Sequence, residues 1–201
     1  MTAQINKGRA ALLLIAGIPV VIILASSWLW YYVASGRLDL VDMLGTANQG
    51  SLISPPLALT DMALRDELNQ PFQVPAGPPL WRILILGDAA CEAEACRELV
   101  YYTRQIHTAM GKYSNRIERL YIAPGGQPDT PGLQALVEDY PKLKVLYTSP
   151  PDVGLLKDQA VSGTPAYFVV DPVGWVILGY AADADGKDIM ADLKFLIKNS
   201  G

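Results

Sequence analysis

The sequence predicts an α/β protein: a mixed central sheet flanked by helices, preceded by one N-terminal transmembrane helix. Three observations predict it. A long uncharged apolar run lies near the N-terminus; beyond it, short apolar runs alternate with segments of helical period; and the last two apolar runs are joined by a tight turn. At 201 residues, the chain has room for one domain of roughly 150 residues and an additional element. Its 51 % apolar and 18 % charged content excludes disorder for most of its length. A net charge of −4, with no cluster of Lys and Arg, excludes a nucleic-acid binder. Two cysteines and one histidine are too few for a four-ligand structural zinc site.

The first element is AALLLIAGIPVVIILASSWLWYYV, residues 10–33, which carries no charge. At ~1.5 Å per residue it is long enough to cross a hydrocarbon core of ~30 Å. Pro19 is tolerated in a spanning helix, and Trp28, Trp30, Tyr31 and Tyr32 suit the membrane interface. Lys7 and Arg9 on the short leading tail place residues 1–9 in the cytoplasm and the rest of the chain outside. A cleaved signal peptide is the competing reading, but its apolar core spans only ~7–15 residues. Beyond the span and Arg37 lie 13 basic and 20 acidic residues, a net charge of −7. Such acidity disfavours adhesion to anionic lipid and suits a basic partner.

Residues 34–75 read as a juxtamembrane linker, rich in Gly, Ser and Pro, that runs into extended structure and a small hairpin or edge strands. Residues 76–201 hold the domain. WRILILG (81–87) has the continuous apolar pattern of a strand covered on both faces. Residues 92–113 place Cys96, Leu99, Val100, Ile106 and Met110 on one helical face. RIERLYIA (116–123) is a second strand. Thr130 and Pro131 mark an N-cap and first helical position for GLQALVEDY. KVLYTS (144–149) is a third strand. AYFVVDPVGWVILGY is a pair of strands around the Asp171–Gly174 turn, and residues 187–199 form a closing helix. Strand–helix alternation followed by a hairpin implies a mixed sheet with helices on both faces.

The residues that carry chemistry cluster at the first strand-to-helix junction, GDAACEAEACREL. Residues five apart in one regular helix point about 140° from each other and cannot bridge, so a Cys91–Cys96 disulfide requires Cys91 in the loop and Cys96 in the first helical turns. The helix N-terminus favours a thiolate there, while Glu92 and Glu94 oppose it. A structural disulfide of an oxidising compartment is the alternative, although so short a loop makes a poor staple. Pro165, directly before a buried strand, is a position where a cis bond can occur, or an ordinary strand-start proline. His107 lies about 16 Å along the helix from Cys96 and cannot share a metal with it. Two thiolates alone would suit Cu(I), with Met or Asp88 as candidates for a third ligand.

With these features together, residues 45–200 resemble the thioredoxin superfamily, and within it the Sco/SenC-like proteins of cytochrome c oxidase assembly. The likeness rests on the single anchor, the LISPP segment, the cysteine pair after WRILILGDAA, and the GTPAYFVVD–GWVILGY hairpin before a last helix. Sco proteins carry a CxxxC pair, whereas four residues separate Cys91 and Cys96. Gly163-Thr164-Pro165 stands where that family has its distal copper-binding histidine, and this tripeptide is similar to the cis-proline loop of thioredoxins. The resemblance therefore implies Cys91 and Cys96 as a redox pair with Pro165 as its neighbour. Cys91, the more exposed, would attack a partner disulfide and Cys96 would resolve it. It also implies a bacterial inner-membrane protein with its domain in the periplasm. The partner it implies is a copper-site subunit of cytochrome c oxidase or another assembly factor, with no cofactor. A Cu(I) chaperone binding through Cys91 and Cys96 is the first alternative; an assembly module with a permanent disulfide is the second.

Overall fold

The computed structural model describes residues 2–35, 48–74, 78–158 and 165–200. They fall into two compact units, Met1–Ala47 and Asn48–Gly201. In the first, helix α1 runs from Thr2 to Ala34 with Pro19 inside it. Its segment Ala11–Ala34 is long and apolar enough to cross a membrane. The Trp28 and Tyr32 rings pack 4.5 Å apart near its C-terminal end.

The second unit is built on a six-stranded sheet of order β1-β6-β5-β2-β3-β4. Its strands are β1 Ser51–Ala58, β2 Trp81–Leu86, β3 Ile117–Pro124, β4 Leu143–Thr148, β5 Pro165–Val170 and β6 Trp175–Ala181. β2, β3 and β4 are parallel, while β5 runs antiparallel to both β2 and β6. The sheet is mixed because β5 runs opposite to β2, and the Asp171–Gly174 turn then returns the chain as β6. There Asp171 Oδ1 accepts the Val173 and Trp175 amides, and Gly174 supplies a φ of +101°.

The helices are α2 Glu94–Ala109, α3 Pro131–Asp139, α4 Gly154–Asp158 and α5 Gly186–Asn199. The helix read over 92–113 is shorter because Gly111, at a φ of +56°, stops α2 and a 3-10 turn follows. Thr130 does occupy the N-cap of α3, with Pro131 behind it. Its hydroxyl, however, accepts the Gln127 amide rather than one from the helix.

Strand alternation sorts the core into two layers. Ile83, Ile85, Tyr121, Val145, Tyr167 and Val169 face α2, α3 and α5, meeting Val100, Ile106, Leu133, Leu136, Ile189 and Leu193. Leu84, Leu120, Ile122, Phe168 and Val170 face the other way, against Leu59, Met62, Val153 and Leu156.

The segment read as linker and hairpin contributes to the sheet itself. β1 is an edge strand whose pairing with β6 breaks between Leu52 and Leu57, where Pro55 and Pro56 lack amide protons, as an edge position allows. Further on, Leu64–Phe72 closes a miniature hairpin, and Arg65 exchanges two backbone hydrogen bonds with Tyr147 beside β4. One stretch therefore occupies both edges of the sheet, which blunts them against pairing with other chains. These contacts are long-range in sequence and leave no local periodicity to read.

Candidate functional site

β2 ends at Leu86, and the chain turns through Gly87–Ala93 into α2. Asp88 makes the turn: its Oδ1 accepts the Ala90 amide at 3.0 Å and the Cys91 amide as well, an Asx-type arrangement. Cys91 then adopts a φ of +51°, a left-handed conformation that costs a non-glycine residue roughly 1–3 kcal/mol. Cys96 follows in the first turn of α2. The two are joined as a disulfide with their Cα atoms 5.4 Å apart, Cys91 from the loop and Cys96 from the helix.

The expectation that Cys91 is the more exposed sulfur is corrected. Cys91 is 1 % and Cys96 6 % exposed, and both belong to the core layer beneath α2 and α3. The left-handed backbone at Cys91 turns its side chain inward, and the loop is roofed by the chain leading into α3. Two glycines permit that close approach. A β-carbon on Gly126 would sit 2.6 Å from the Ala89 carbonyl oxygen, and one on Gly132 would run into that of Ala90.

Asp88, one candidate third copper ligand, holds the loop amides through Oδ1. The pair is bridged and so offers no thiolate to a soft ion. Among the described residues no cluster of three or more His, Cys, Asp or Glu could hold a metal. A Cu(I) site at the two sulfurs demands reduction of the bridge. His107 lies elsewhere, half-buried, with Nε2 bonded to the Ile117 carbonyl at 3.1 Å.

Pro165 opens β5 and is registered with Ala181 of β6. The last β2–β5 pair is Ile85 with Tyr167. Two residues further along each strand lie Gly87 and Pro165, so the start of β5 and the exit of β2 share one end of the sheet. The peptide bond into Pro165 and the SGT segment before it lie outside the described residues.

Sequence reading missed Tyr121. Its hydroxyl lies 3.2 Å from Cys96 Sγ and donates to the Asp88 carbonyl at 2.9 Å. Gly87 makes the space, since a β-carbon there would collide with the Tyr121 ring. Burial, with the Asp88 charge adding to it, pushes the Tyr121 pKa up, so the hydroxyl keeps its proton. The alternation of RIERLYIA puts Tyr121 on the layer that holds the cysteines, which is the signal that could have found it.

The hydroxyl has one proton to give. In the bridged state it goes to Asp88; on reduction, a Cys96 thiolate becomes the better acceptor. In a Cys91→Ser background, Tyr121→Phe is therefore expected to raise the Cys96 thiol pKa by about one unit, equivalent to ~1.4 kcal/mol. The pH profile of iodoacetamide alkylation measures it, and an unmoved profile would mean that the hydroxyl stays on Asp88.

The transmembrane-like, thioredoxin-like C-terminal domain model matches residues 81–200, more than half of the chain. The chain belongs to this family. No curated protein sequence matches it. Among solved structures, yeast Sco1 with copper bound is similar at a TM-score of 0.51 and 18 % identity, over 77 % of this chain and 95 % of that one. Arabidopsis thaliana ScoI with copper bound is similar at 0.51 and 14 %, over 75 % and 98 %. At such identities the likeness establishes the thioredoxin-like fold: a mixed six-stranded sheet flanked by helices.

Proposed function

We propose that this is a membrane-anchored thioredoxin-like protein of the bacterial inner membrane, with its domain in the periplasm. There it supports cytochrome c oxidase assembly by thiol–disulfide exchange on a copper-site subunit or another assembly factor. The observation that carries the chemistry is an asymmetry of the pair: among the described residues, Cys96 has a hydroxyl beside its sulfur, that of Tyr121, and Cys91 has none. A nearby donor stabilises Cys96 as a thiolate and makes it the better leaving group, so Cys91 is the sulfur that carries a mixed disulfide.

In the cycle, the Cys91 thiolate of the reduced chain attacks a partner disulfide and releases one partner thiolate. The Cys96 thiolate then attacks the Cys91 sulfur, re-forming the bridge and releasing the second. Two electrons pass to the partner, which is left as a dithiol competent to bind copper, and a dithiol donor in the same compartment reduces the bridge again. The sequence resemblance supports the role in oxidase assembly, and Lys7 and Arg9 ahead of the apolar segment support placement in the periplasm.

The burial of both sulfurs favours a second reading, an assembly module with a permanent bridge. A copper-carrying role uses the same two sulfurs in reduced form, and an anaerobic Cu(I) titration of the reduced chain against a chelator tests it. Exchange and permanence are separated by trapping in cells. Cys96→Ser is expected to accumulate a mixed disulfide at Cys91, visible as a band that collapses on reduction, whereas Cys91→Ser accumulates none. No band from either variant, with oxidase activity intact when both cysteines are alanine, would establish the permanent bridge.

A further inference from the structure

Two buried arginines on adjacent strands meet opposite treatment. Arg82 is 1 % exposed; its Nε pairs with Glu118 at 3.0 Å, and its Nη1 donates to the Leu80 and Asp171 carbonyls. Arg119 projects to the other face and is 4 % exposed, yet its Nε and Nη1 have no hydrogen-bond partner among the described residues. A buried guanidinium with unpaired donors carries a desolvation penalty, offset here only in part by the Tyr140 ring face.

Arg119 forms the floor of a cleft of about 270 Å³ between the C-terminal ends of α2 and α3, lined also by Arg104, His107, Asp139, Tyr140 and Lys142. Arg104 and Arg119 each stand 5.9 Å from the Tyr140 ring centroid. Neither forms an ion pair with a carboxylate among the described residues. Three permanent cations thus face one carboxylate, on a domain in which acidic residues are in excess. Arg104 lies eight residues beyond Cys96, about 12 Å along the helix, so the cleft is separate from the disulfide.

We infer that this cleft binds a small phosphate dianion, free or as the terminal phosphoryl group of a small metabolite. Arg119 is the principal ligand; Arg104 and Lys142 close over it. Converging cations from α2, β3 and the residues before β4 suit a dianion better than a carboxylate, and the guanidinium fork matches phosphate oxygens. His107 reports on the site. Burial chiefly, and the Arg119 and Lys142 charges with it, hold its pKa below the ordinary histidine value, against the opposing bonds to the Ile117 and Ser114 carbonyls. Arg104 and Thr108 on its own helix, and Asp139 and Tyr140 at the end of α3, complete the polar lining of its cleft. An anion in the cleft relieves the cationic part and must raise that pKa.

His107 is the only histidine, so its Cε1 proton gives a single histidine NMR signal of its kind. The full chain in neutral detergent is titrated with inorganic phosphate, glycerol phosphate, acetate and sodium chloride at fixed ionic strength. A saturable shift with inorganic phosphate is expected, together with an upward move of the His107 pKa. Binding of glycerol phosphate as well identifies a phosphoryl group, and its exclusion identifies the free ion. Affinity should fall at least tenfold in Arg119→Gln and severalfold in Arg104→Gln, whose exposed side chain is not needed for folding. No saturable shift, the same shift with chloride, acetate binding as tight as phosphate, or unchanged affinity in Arg104→Gln would overturn the inference. The readout involves neither cysteine and stands apart from the thiol chemistry.

Discussion

Asp192→Ala is expected to destabilise the domain by about 3–5 kcal/mol, the range for stripping one partner from a buried charged network. Asp192 sits on α5 and is 5 % exposed. Its Oδ2 accepts the Gln49 and Gly50 amides, each at 2.9 Å, and the Tyr180 hydroxyl at 2.7 Å. The carboxylate therefore ties the approach to β1 to β6 and α5 at once. Gly50 is required for the geometry, because a β-carbon there would collide with the Tyr180 ring. Burial, and then the bond to Asp192, push the Tyr180 pKa up, so the hydroxyl remains a donor through the neutral range. Alanine leaves a buried amide and a buried hydroxyl without acceptors. Asn retains one acceptor oxygen and is expected to lose about half as much. Thermal unfolding followed by circular dichroism should fall by roughly 10 °C for Asp192→Ala. A fall within 2 °C of the native chain would mean that water replaces the carboxylate and that β1 is held by its pairing with β6 alone.

The sequence showed what depends on local periodicity and hid what depends on contacts far apart in the chain. The central strands, the hairpin about Asp171 and the closing helix follow from alternation and helical spacing, because each has a face that must be buried. The cysteine pair was legible because spacing and bond geometry together restrict a bridge to a loop–helix junction. Its burial was not. That depends on a left-handed residue at Cys91, hinted at only by Asp88, and on a roof built from Gly126 and Gly132, some 35–40 residues later in the sequence. β1 was legible as extended structure, but its place in the sheet was hidden for a related reason. Two prolines interrupt its pattern, and it acquires strand structure only from pairing with β6. Tyr121 belongs between these cases, visible as an inward position on a strand but without its neighbour until Gly87 is seen to leave it room.

Gly132→Ala tests whether that roof governs access to the bridge. Glycine at the second position of a helix is ordinarily a loss, and alanine would gain about 0.5–1 kcal/mol there. Here the sign is expected to reverse. The added β-carbon meets the Ala90 carbonyl oxygen, a backbone atom, and lies 3.3 Å from Glu92 Cγ, so either α3 or the cysteine loop must move. Overpacking of this kind costs about 1–3 kcal/mol. The loop is the weaker side, since it already holds Cys91 at a strained φ, whereas α3 is anchored by Leu133 and Leu136 in the core. The strain should lift the loop, expose the disulfide and speed its reduction by dithiothreitol about ten- to a hundredfold, as 1.4 kcal/mol corresponds to one factor of ten. Trapping of a partner by Cys96→Ser should increase in the same background. Unchanged reduction kinetics alongside the expected loss of stability would locate the movement in α3, and the bridge would then open only with the unfolding of the whole domain. That outcome favours the permanent bridge, because a partner cannot exchange with sulfurs that appear only in the unfolded chain.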